Sequence, residues 1–488
     1  MTTHFIILAA GKGTRMKSST PKVMHTIGNA PLLDHVLSAT KTVSSDKSIN
    51  GSQPSIMVVL GDQAEVIQNH LESIDPLIKT CLQNEQLGTA HAVCVALESA
   101  DFSISDSDQV VILFGDTPLV TPGTIKTILA DLEQNDLVVA GMYPPDPKQY
   151  GRLITKANQN ESLNLLEIVE YKHASPDEKV VGLCNSGIMA FQAKSLLSCI
   201  SKIEKQDLTG EYYLTDAVKV LKQENAKIAV SVIPFEDAEG VNTQQDLALA
   251  EHRFQTRKRQ QFMTQGVSFQ DPNSVFMSHD TILEPDVTIE PNVYFGNNVY
   301  VKTGTTIKGF SHLEGCTIGC NTVVGPFARI RPGTTLADNS KVGNFVELKN
   351  THLGEGSKVN HLSYIGDTSV GTKTNIGAGT ITCNYDGYQK YKTTIGNNVF
   401  VGSNTCFIAP VTVEDNGMTA AGTVVTKSIN ADDLAVGRTP QKNLVGKAKA
   451  FKDQKLKDQK VRDQNTEDQH KQNDSGPSSK PSITQERA

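Results

Sequence analysis

Near the start of the chain, Leu8-Ala9-Ala10-Gly11-Lys12-Gly13-Thr14-Arg15-Met16 forms a glycine loop that carries two cations. Glycines let a backbone approach a phosphate closely and aim N–H groups at it, and Lys12 and Arg15 add positive charge. The loop is not a Walker A motif, because the GxxxxGK[ST] spacing is missing. Nor is it a dinucleotide fingerprint, because Met16 stands where the third glycine belongs. Asp116 is a second candidate, since it follows the wholly apolar run Val110–Phe114 and so falls at the end of a buried strand. A third set sits in the second half, within Arg329–Gly333, Glu347–Asn350, Asn360–Asp367 (NHLSYIGD) and Asn375–Tyr385 (NIGAGTITCNY). A scaffold has no need of Arg331, Lys349 and Tyr364 at intervals near one ~18-residue coil; that spacing predicts convergence on one edge.

The elements that must carry these groups differ between the halves. Phe5–Ala10, Ile56–Leu60, Val110–Phe114 and Leu137–Met142 are short, continuous and apolar, as strands covered on both faces should be. Helical stretches such as Pro31–Lys41 and Thr89–Glu98 alternate with them. That alternation predicts a mostly parallel, Rossmann-like α/β sheet, with ligand bound beyond the carboxyl ends of its strands. The stretch 244–265 reads as a charged helix. Its cluster of Arg253, Arg257, Lys258 and Arg259 lacks interleaved aromatics, so it is expected to be a solvated face and not a nucleic-acid patch.

After Gly266 the sequence becomes self-similar. Small or branched apolar residues recur every six positions at Ile289, Phe295, Val301, Ile307 and Leu313, and again at Ile318, Val324, Ile330, Leu336, Val342 and Leu348. Leu353, Val359, Ile365, Val370, Ile376, Ile395 and Val401 continue the pattern. This period is the mark of a parallel β-helix whose apolar positions stack inside. From about Phe451 the chain is rich in Lys, Asp, Gln and Asn with few large apolar residues, and it is expected to be a disordered tail.

Composition limits the function. The 488 residues hold 46 basic and 53 acidic side chains, a formal charge of −7 that offers no general attraction to nucleic acid or anionic membranes. No apolar run approaches the ~18 residues a membrane span needs. The run Phe5–Ala10 is too short for a secretory signal, so a cytoplasmic location is expected. Eight scattered cysteines read as reduced thiols, and Cys316 with Cys320 lacks the second pair that would complete a zinc site.

The glycine loop with Pro21-Lys22 resembles the signature of sugar-phosphate nucleotidyltransferases. Further matches follow in order: QNEQLGTA (83–90), FGDTPL (114–119), Tyr150-Gly151-Arg152, Ile168-Val169-Glu170, Asn185-Ser186-Gly187-Ile188 and Glu239-Gly240-Val241-Asn242. Together with the hexapeptide half, the chain from about Phe5 to Ala450 resembles the bifunctional bacterial GlmU family. These are N-acetylglucosamine-1-phosphate uridylyltransferases fused to glucosamine-1-phosphate N-acetyltransferases. The resemblance implies that Leu8, Ala9, Ala10 and Gly11 lie against the uridine nucleotide, Lys22 on phosphate, and Gln83, Gly88 and Thr89 around the base. It implies that Phe114 and Gly115 line the nucleotide, Gly151, Glu170 and Asn185 hold the sugar, and Asp116 and Asn242 bind Mg²⁺. Phe114 stands where many relatives carry Tyr.

In the coil, the NHLSYIGD match implies His361 as general base for acetyl transfer. Arg331 and Lys349 are implied on the sugar phosphate, and Tyr364 and Asn375 on the sugar. Ala378, Asn384, Tyr385, Ser403, Ala421 and Arg438 are implied at the acetyl-CoA site. A thioester is already activated, so Cys383 and Cys406 are not expected to act as acyl carriers. The implied product is UDP-N-acetylglucosamine, a precursor of peptidoglycan and lipopolysaccharide. The implied substrates are glucosamine-1-phosphate, N-acetylglucosamine-1-phosphate, acetyl-CoA and UTP, and the implied assembly is a homotrimer. The expected division is a nucleotidyltransferase domain at 1–244, a linker helix at 245–265, a left-handed β-helix acetyltransferase at 266–450 and the tail at 451–488. The alternative is a single-activity sugar-1-phosphate nucleotidyltransferase whose β-helix only oligomerises. The two readings are separated by His361 and its neighbours, which a scaffold would not carry.

Overall fold

The structure is a computed structural model that describes residues 1–46, 54–147, 150–157, 163–207 and 209–473. The chain forms two compact units, 1–435 and 436–488. The first begins with a mixed nine-stranded sheet. Its spatial order is Lys79–Leu82, Ile56–Leu60, Thr3–Ala9, Gln109–Phe114, Cys184–Gln192, Leu137–Met142, Ile228–Val232, Leu163–Val169 and Arg152–Ala157. Pairing is parallel from Lys79–Leu82 to Gln109–Phe114, and Cys184–Gln192 then runs antiparallel to both of its neighbours. Every residue of Thr3–Ala9, Ile56–Leu60 and Leu137–Met142 is buried, because helices cover both sheet faces. Two apolar clusters result: Phe5, Ile7 and Val111 belong to one, Ile6, Val110 and Ile112 to the other. Alternating residues of one strand therefore feed opposite layers. Gly115 N–H donates to Leu8 O at 2.9 Å, which keeps the glycine loop and Asp116 together at one sheet edge.

The second part of this unit is a left-handed parallel β-helix of short strands. Coils pair in three columns: Thr288 with Thr306, Phe295 with Leu313, and Tyr300 with Thr317 mark one contact in each. The hexapeptide positions are its interior. Ile289, Ile307, Val324, Val342 and Val359 stack in one column, and Phe295, Leu313, Ile330, Leu348 and Ile365 in the next, all fully buried. One coil is longer: Tyr364 pairs with Ile381, but Thr368 pairs with Thr393, so the extra chain at 384–391 leaves the coil as a loop.

The corners need left-handed backbone. Asn292, Asn298, Asn321, Asn339 and Asn398 supply it with φ between 54 and 60°, and asparagine tolerates this conformation better than most residues. One row of corners instead carries Phe310, Phe327 and Phe345 at φ of 58, 55 and 54°, followed by Leu362 at 52°. The three rings stack at 5.0 and 5.1 Å and remain largely exposed.

Helix Gln244–Thr264 joins the parts. It starts with a capping box between Thr243 and Asp246. Its cations are not a solvated face, which corrects the reading from sequence. Arg253 pairs with Glu239; Arg257 donates to Asp237 Oδ1 and Leu119 O, each at 2.6 Å. Lys258 donates to His279 O at 2.6 Å, and Arg259, 3% exposed, donates to Val275 O at 3.1 Å. Gln255 closes the junction by donating to Met277 O and accepting from Met277 N–H. Spread around the helix, these cations each meet a carboxylate or a backbone carbonyl, and the carbonyl that Arg259 meets, Val275 O, is buried.

In the second unit, Lys447–Asn473 is one α-helix, which corrects the expectation of disorder over 451–473; 474–488 lie outside the described residues. Its side chains at 447–466 are exposed, as composition implied for this stretch, yet Lys, Gln and Arg are good helix formers. A pair such as Gln454 with Asp458 adds local support at the i, i+4 spacing.

Leu348 sits in the middle of the stacked interior, so Leu348→Ala should destabilise the coil by about 2–5 kcal/mol. Calorimetry should register this as a lower melting temperature; an unchanged profile would show that the column is not close-packed.

Candidate active sites

The carboxyl ends of the first strands border a pocket of about 340 Å³. Leu8, Ala9, Ala10, Gly11, Lys22, Gln83, Gly88, Thr89, Phe114 and Asp116 all line it, so ten residues singled out from sequence meet in one place. Gln83 is 4% exposed; its amide nitrogen contacts Gly88 O at 3.1 Å and His91 Nδ1 at 3.0 Å, which fixes the wall. Gly88 has φ of 105°, and a Cβ there would sit 2.5 Å from Tyr212 O, so only glycine fits. Gly115 lies just behind Asp116, packed against Val23 and Ala9.

Lys22 Nζ makes a short contact with Asp116 Oδ2 and lies 3.3 Å from Asn242 Oδ1, which Arg15 also reaches at 2.9 Å. Asn242 is outside the pocket lining but within this polar cluster. Its backbone N–H donates to Asp246 Oδ2 at 3.0 Å, and Val241 N–H donates to Asp116 O at 2.8 Å. The start of the connecting helix thus holds both oxygen-bearing side chains together.

Gly151, Glu170 and Asn185 form a neighbouring group. Asn185 N–H donates to Gly151 O at 2.8 Å, and a Cβ on Gly151 would lie 3.5 Å from a Glu170 carboxylate oxygen. Burial raises the Glu170 pKa above its ordinary value, although His173 pulls the other way. Glu170 lines a second cavity of about 610 Å³, and Tyr213 lines both cavities, so the two adjoin. Sequence reasoning missed Gln86, Glu211 and Tyr213. Gln86 donates to Ala10 O at 2.9 Å and lay within a quoted motif; Glu211 and Tyr213 come from irregular chain without a periodic signal.

On the coil, His361 is exposed at the end of a short strand, with Nδ1 2.7 Å from Asn344 Oδ1 one coil earlier. An amide oxygen accepts, so in the neutral ring Nδ1 carries the proton and Nε2 has the free lone pair. Asn344 was not foreseen; the available signal was its register opposite His361. Ala378, Ser403 and Ala421 follow along the same edge: Gly379 N–H donates to His361 O, Asn404 N–H to Ala378 O and Gly422 N–H to Ser403 O.

A second polar group occupies the next corner. Lys349 sits in register with Gly366, and Arg331 N–H donates to Leu348 O one coil above. Arg331 pairs with Glu347 at 2.8 Å, and Lys349 lies 3.9 Å from Asp367. Tyr364 is two residues out of step, beneath Glu347, but its hydroxyl reaches over Gly366. A Cβ there would lie 2.5 Å from that hydroxyl and 2.9 Å from Asn384 Nδ2, so a bare glycine is what admits both groups. Asp367 is drawn in two directions: burial would raise its pKa, but hydrogen bonds from Asn350 and Asn384 and the charge of Lys349 hold it low. The loop at 384–391 adds Lys390, also missed from sequence, whose pKa is lowered by the adjacent Lys349 ammonium.

Two further residues join neither group: Asn375 lies on the flat face in register with Lys358, and Tyr385 is exposed in the loop and donates to Gly387 O. Arg438 belongs to the second unit. All eight cysteines are free, and burial raises the Cys383 pKa, which suits an unreactive thiol. Among the described residues no group of three His, Cys, Asp or Glu could hold a metal, and no helix is long and apolar enough to cross a membrane.

Comparison with known proteins agrees with this arrangement. Residues 5–167 match the MobA-like NTP transferase domain, 315–350 the bacterial transferase hexapeptide (six repeats), and 392–427 the hexapeptide repeat of succinyl-transferase. Bifunctional protein GlmU of Ruegeria sp. (strain TM1040) is 46% identical over 93% of this chain and 97% of its own length. The protein of the same name from Zymomonas mobilis is 42% identical over 92% of this chain and 97% of its own, and that from Bartonella bacilliformis 45% over 89% and 94%. One polypeptide bearing a nucleotide-sized pocket at a sheet edge and a histidine on a hexapeptide coil, matched over about nine-tenths of its length by such relatives, belongs to the GlmU family of bifunctional uridylyltransferase–acetyltransferases.

Proposed function

We propose that the coil acetylates glucosamine-1-phosphate and that the sheet-edge pocket then uridylylates the product to UDP-N-acetylglucosamine. The observation that carries this reading is the coexistence of two polar constellations on one chain, the glycine loop with Lys22 and Asp116, and His361 on Asn344. The second of these disfavours a coil that serves assembly alone. The division of labour follows the two parts of the first unit, 1–244 for uridylyl transfer and the coil from 266 for acetyl transfer.

In uridylyl transfer, a phosphate oxygen of N-acetylglucosamine-1-phosphate attacks the α-phosphorus of UTP, and the bond to the pyrophosphate leaving group breaks. Such a step depends on positioning and positive charge around a charge-rich transition state. Backbone N–H groups at Gly11 and the cations Lys22 and Arg15 would supply that charge, while Gly151, Glu170 and Asn185 would orient the sugar. The pair Asp116 and Asn242 suits Mg²⁺: both present hard oxygens toward one cationic group, Lys22 Nζ, and a cation with so few protein ligands keeps sites for phosphate and water. When bound, Mg²⁺ would neutralise phosphate charge.

In acetyl transfer only the free amine attacks the thioester carbonyl. His361 Nε2 would take the amine proton, with Asn344 holding the productive tautomer, and the CoA thiolate leaves. Arg331, Lys349 and Lys390 favour the sugar-phosphate charge, with Tyr364 and Asn375 on the sugar. Ala378, Asn384, Tyr385, Ser403 and Ala421 are assigned to acetyl-CoA. The role of Arg438 rests on family resemblance alone. Free cysteines accord with a cytoplasmic location.

A homotrimer is part of the proposal, supported by the ladder of Phe310, Phe327, Phe345 and Leu362. Bulky residues held at positive φ cost roughly 1–3 kcal/mol each, and an apolar row like this is best repaid by a neighbouring copy.

His361→Ala should lower acetyl transfer by about 10²–10⁴-fold in a coupled thiol-release assay while uridylyl transfer stays near wild type. Asn344→Ala should give a smaller loss of the same kind. Equal damage to both activities would refute separate sites. Conversely, Asp116→Ala should abolish Mg²⁺-dependent pyrophosphate release and spare acetylation; persistent release would exclude Asp116 from the site. Phe327→Asp should shift sedimentation toward monomer, and a variant still trimeric would remove the ladder from the interface.

A further inference from the structure

The contact between Lys22 and Asp116 has a use beyond binding phosphate. Lys22 Nζ touches Asp116 Oδ2 and lies 3.3 Å from Asn242 Oδ1, and their side chains are only 15% and 17% exposed for the ion pair itself. Asn242 is held in place by Asp246 through its backbone and by Gly240 O through its amide nitrogen, so Oδ1 faces the ammonium. Both oxygens assigned to the divalent cation therefore face Lys22, and Asn242 Oδ1 also accepts from Arg15 at 2.9 Å. The root of that lysine is fixed: Gly13 has φ of 60°, and a Cβ there would lie 2.7 Å from Lys22 Cβ, so the glycine loop packs directly on it. Only the flexible end of the side chain is left to move.

We infer that Lys22 is a resident counter-ion that exchanges with the divalent cation. Without nucleotide, its ammonium neutralises Asp116 and donates to the amide oxygen of Asn242. A divalent cation arriving at those oxygens must displace it, because two cations repel strongly in a partly desolvated site. The displaced ammonium stays within the pocket lined by Gly11 and Phe114, where a triphosphate can accept it. Phosphate draws the lysine away from the carboxylate, and the metal holds it away, so the two ligands bind with positive coupling that is reciprocal by linkage. The free protein is thereby spared an unpaired carboxylate and favours metal chiefly together with nucleotide. This inference rests on the assignment of Asp116 and Asn242 as metal ligands.

The test is Mn²⁺ binding to the full-length, nucleotide-free protein, read from the electron paramagnetic resonance signal of free Mn²⁺. Lys22→Gln should bind Mn²⁺ at least about fivefold more tightly than wild type, the lower end of typical couplings. Lys22→Arg keeps the charge and should remain close to wild type. Adding Asp116→Asn to Lys22→Gln should abolish the gain. Circular dichroism melts confirm that each variant is folded, and Lys22→Met serves in place of Lys22→Gln if that variant is not. Equal or weaker Mn²⁺ binding by the uncharged variant overturns the exchange, while loss of pyrophosphate release in Asp116→Asn leaves the metal assignment standing. Mn²⁺ binding and pyrophosphate release both indifferent to Asp116→Asn overturn assignment and exchange together.

Discussion

A coil that buries one apolar residue per face on every turn leaves its chemistry few places to stand. Ile330, Leu348 and Ile365 occupy the interior of successive turns, so functional side chains are confined to faces and corners. Corners are better, because the chain turns there and projects side chains into open space. The imidazole of His361 immediately precedes the left-handed corner at Leu362, and Lys349 immediately precedes the one at Asn350. Stacking also defines partners, since a residue one coil away is held at strand spacing whatever its sequence distance. Asn344 meets His361 for that reason, and Asp367 meets Asn350 and Asn384.

The sheet of the first half solves the same problem differently. Strands Thr3–Ala9, Ile56–Leu60 and Leu137–Met142 are buried along their whole length, so the pocket's polar groups gather beyond the strand ends. Asp116 follows Phe114 with Gly115 between them, and Gly11 follows the end of Thr3–Ala9 with Ala10 between them. Parallel neighbours end together, which brings loops that are distant in sequence to one edge. Gly187 shows how tightly this edge is packed: at φ of 88°, a Cβ would lie 2.7 Å from the Phe114 ring. The ring that lines the nucleotide pocket thus depends on a glycine in an antiparallel neighbour.

Features that repeat or that end a repeat were readable from sequence. The six-residue period identified the interior of the coil residue by residue, and continuous apolar runs located Ile56–Leu60 and Leu137–Met142. Glycine strings and family motifs pointed to ten of the residues that line the first pocket. What escaped were contacts created by closure. Lys390 reaches Lys349 because one coil carries an extra loop, and Tyr213 joins two cavities from chain that has no period. Charge patterning also misled at Arg259, because a basic residue on a polar helix reads as solvated until a buried carbonyl such as Val275 O is known to need a donor. Apolar content predicted that the 447–473 stretch lacks a core, but a core is not required for residues of high helix propensity to form a helix.

The connecting helix bears on how two activities can share one chain. Its first turn grips Asn242 through Asp246, and further along Gln255 and Arg259 bind the backbone of the first coil at Met277 and Val275. Asn29 and His279 add a direct contact, with Asn29 Nδ2 3.0 Å from Tyr294 Oη and His279 N–H donating to Gly28 O. A junction tied at so many polar points resists independent rotation, because buried pairs such as Gln255 with Met277 and Arg259 with Val275 would lose their partners. This junction therefore ties the first coil to the residues that hold Asn242 beside the first pocket. On this view the cations of the helix carry positional information: they convert the regular geometry of the coil into a fixed platform for the Asp116–Asn242 pair.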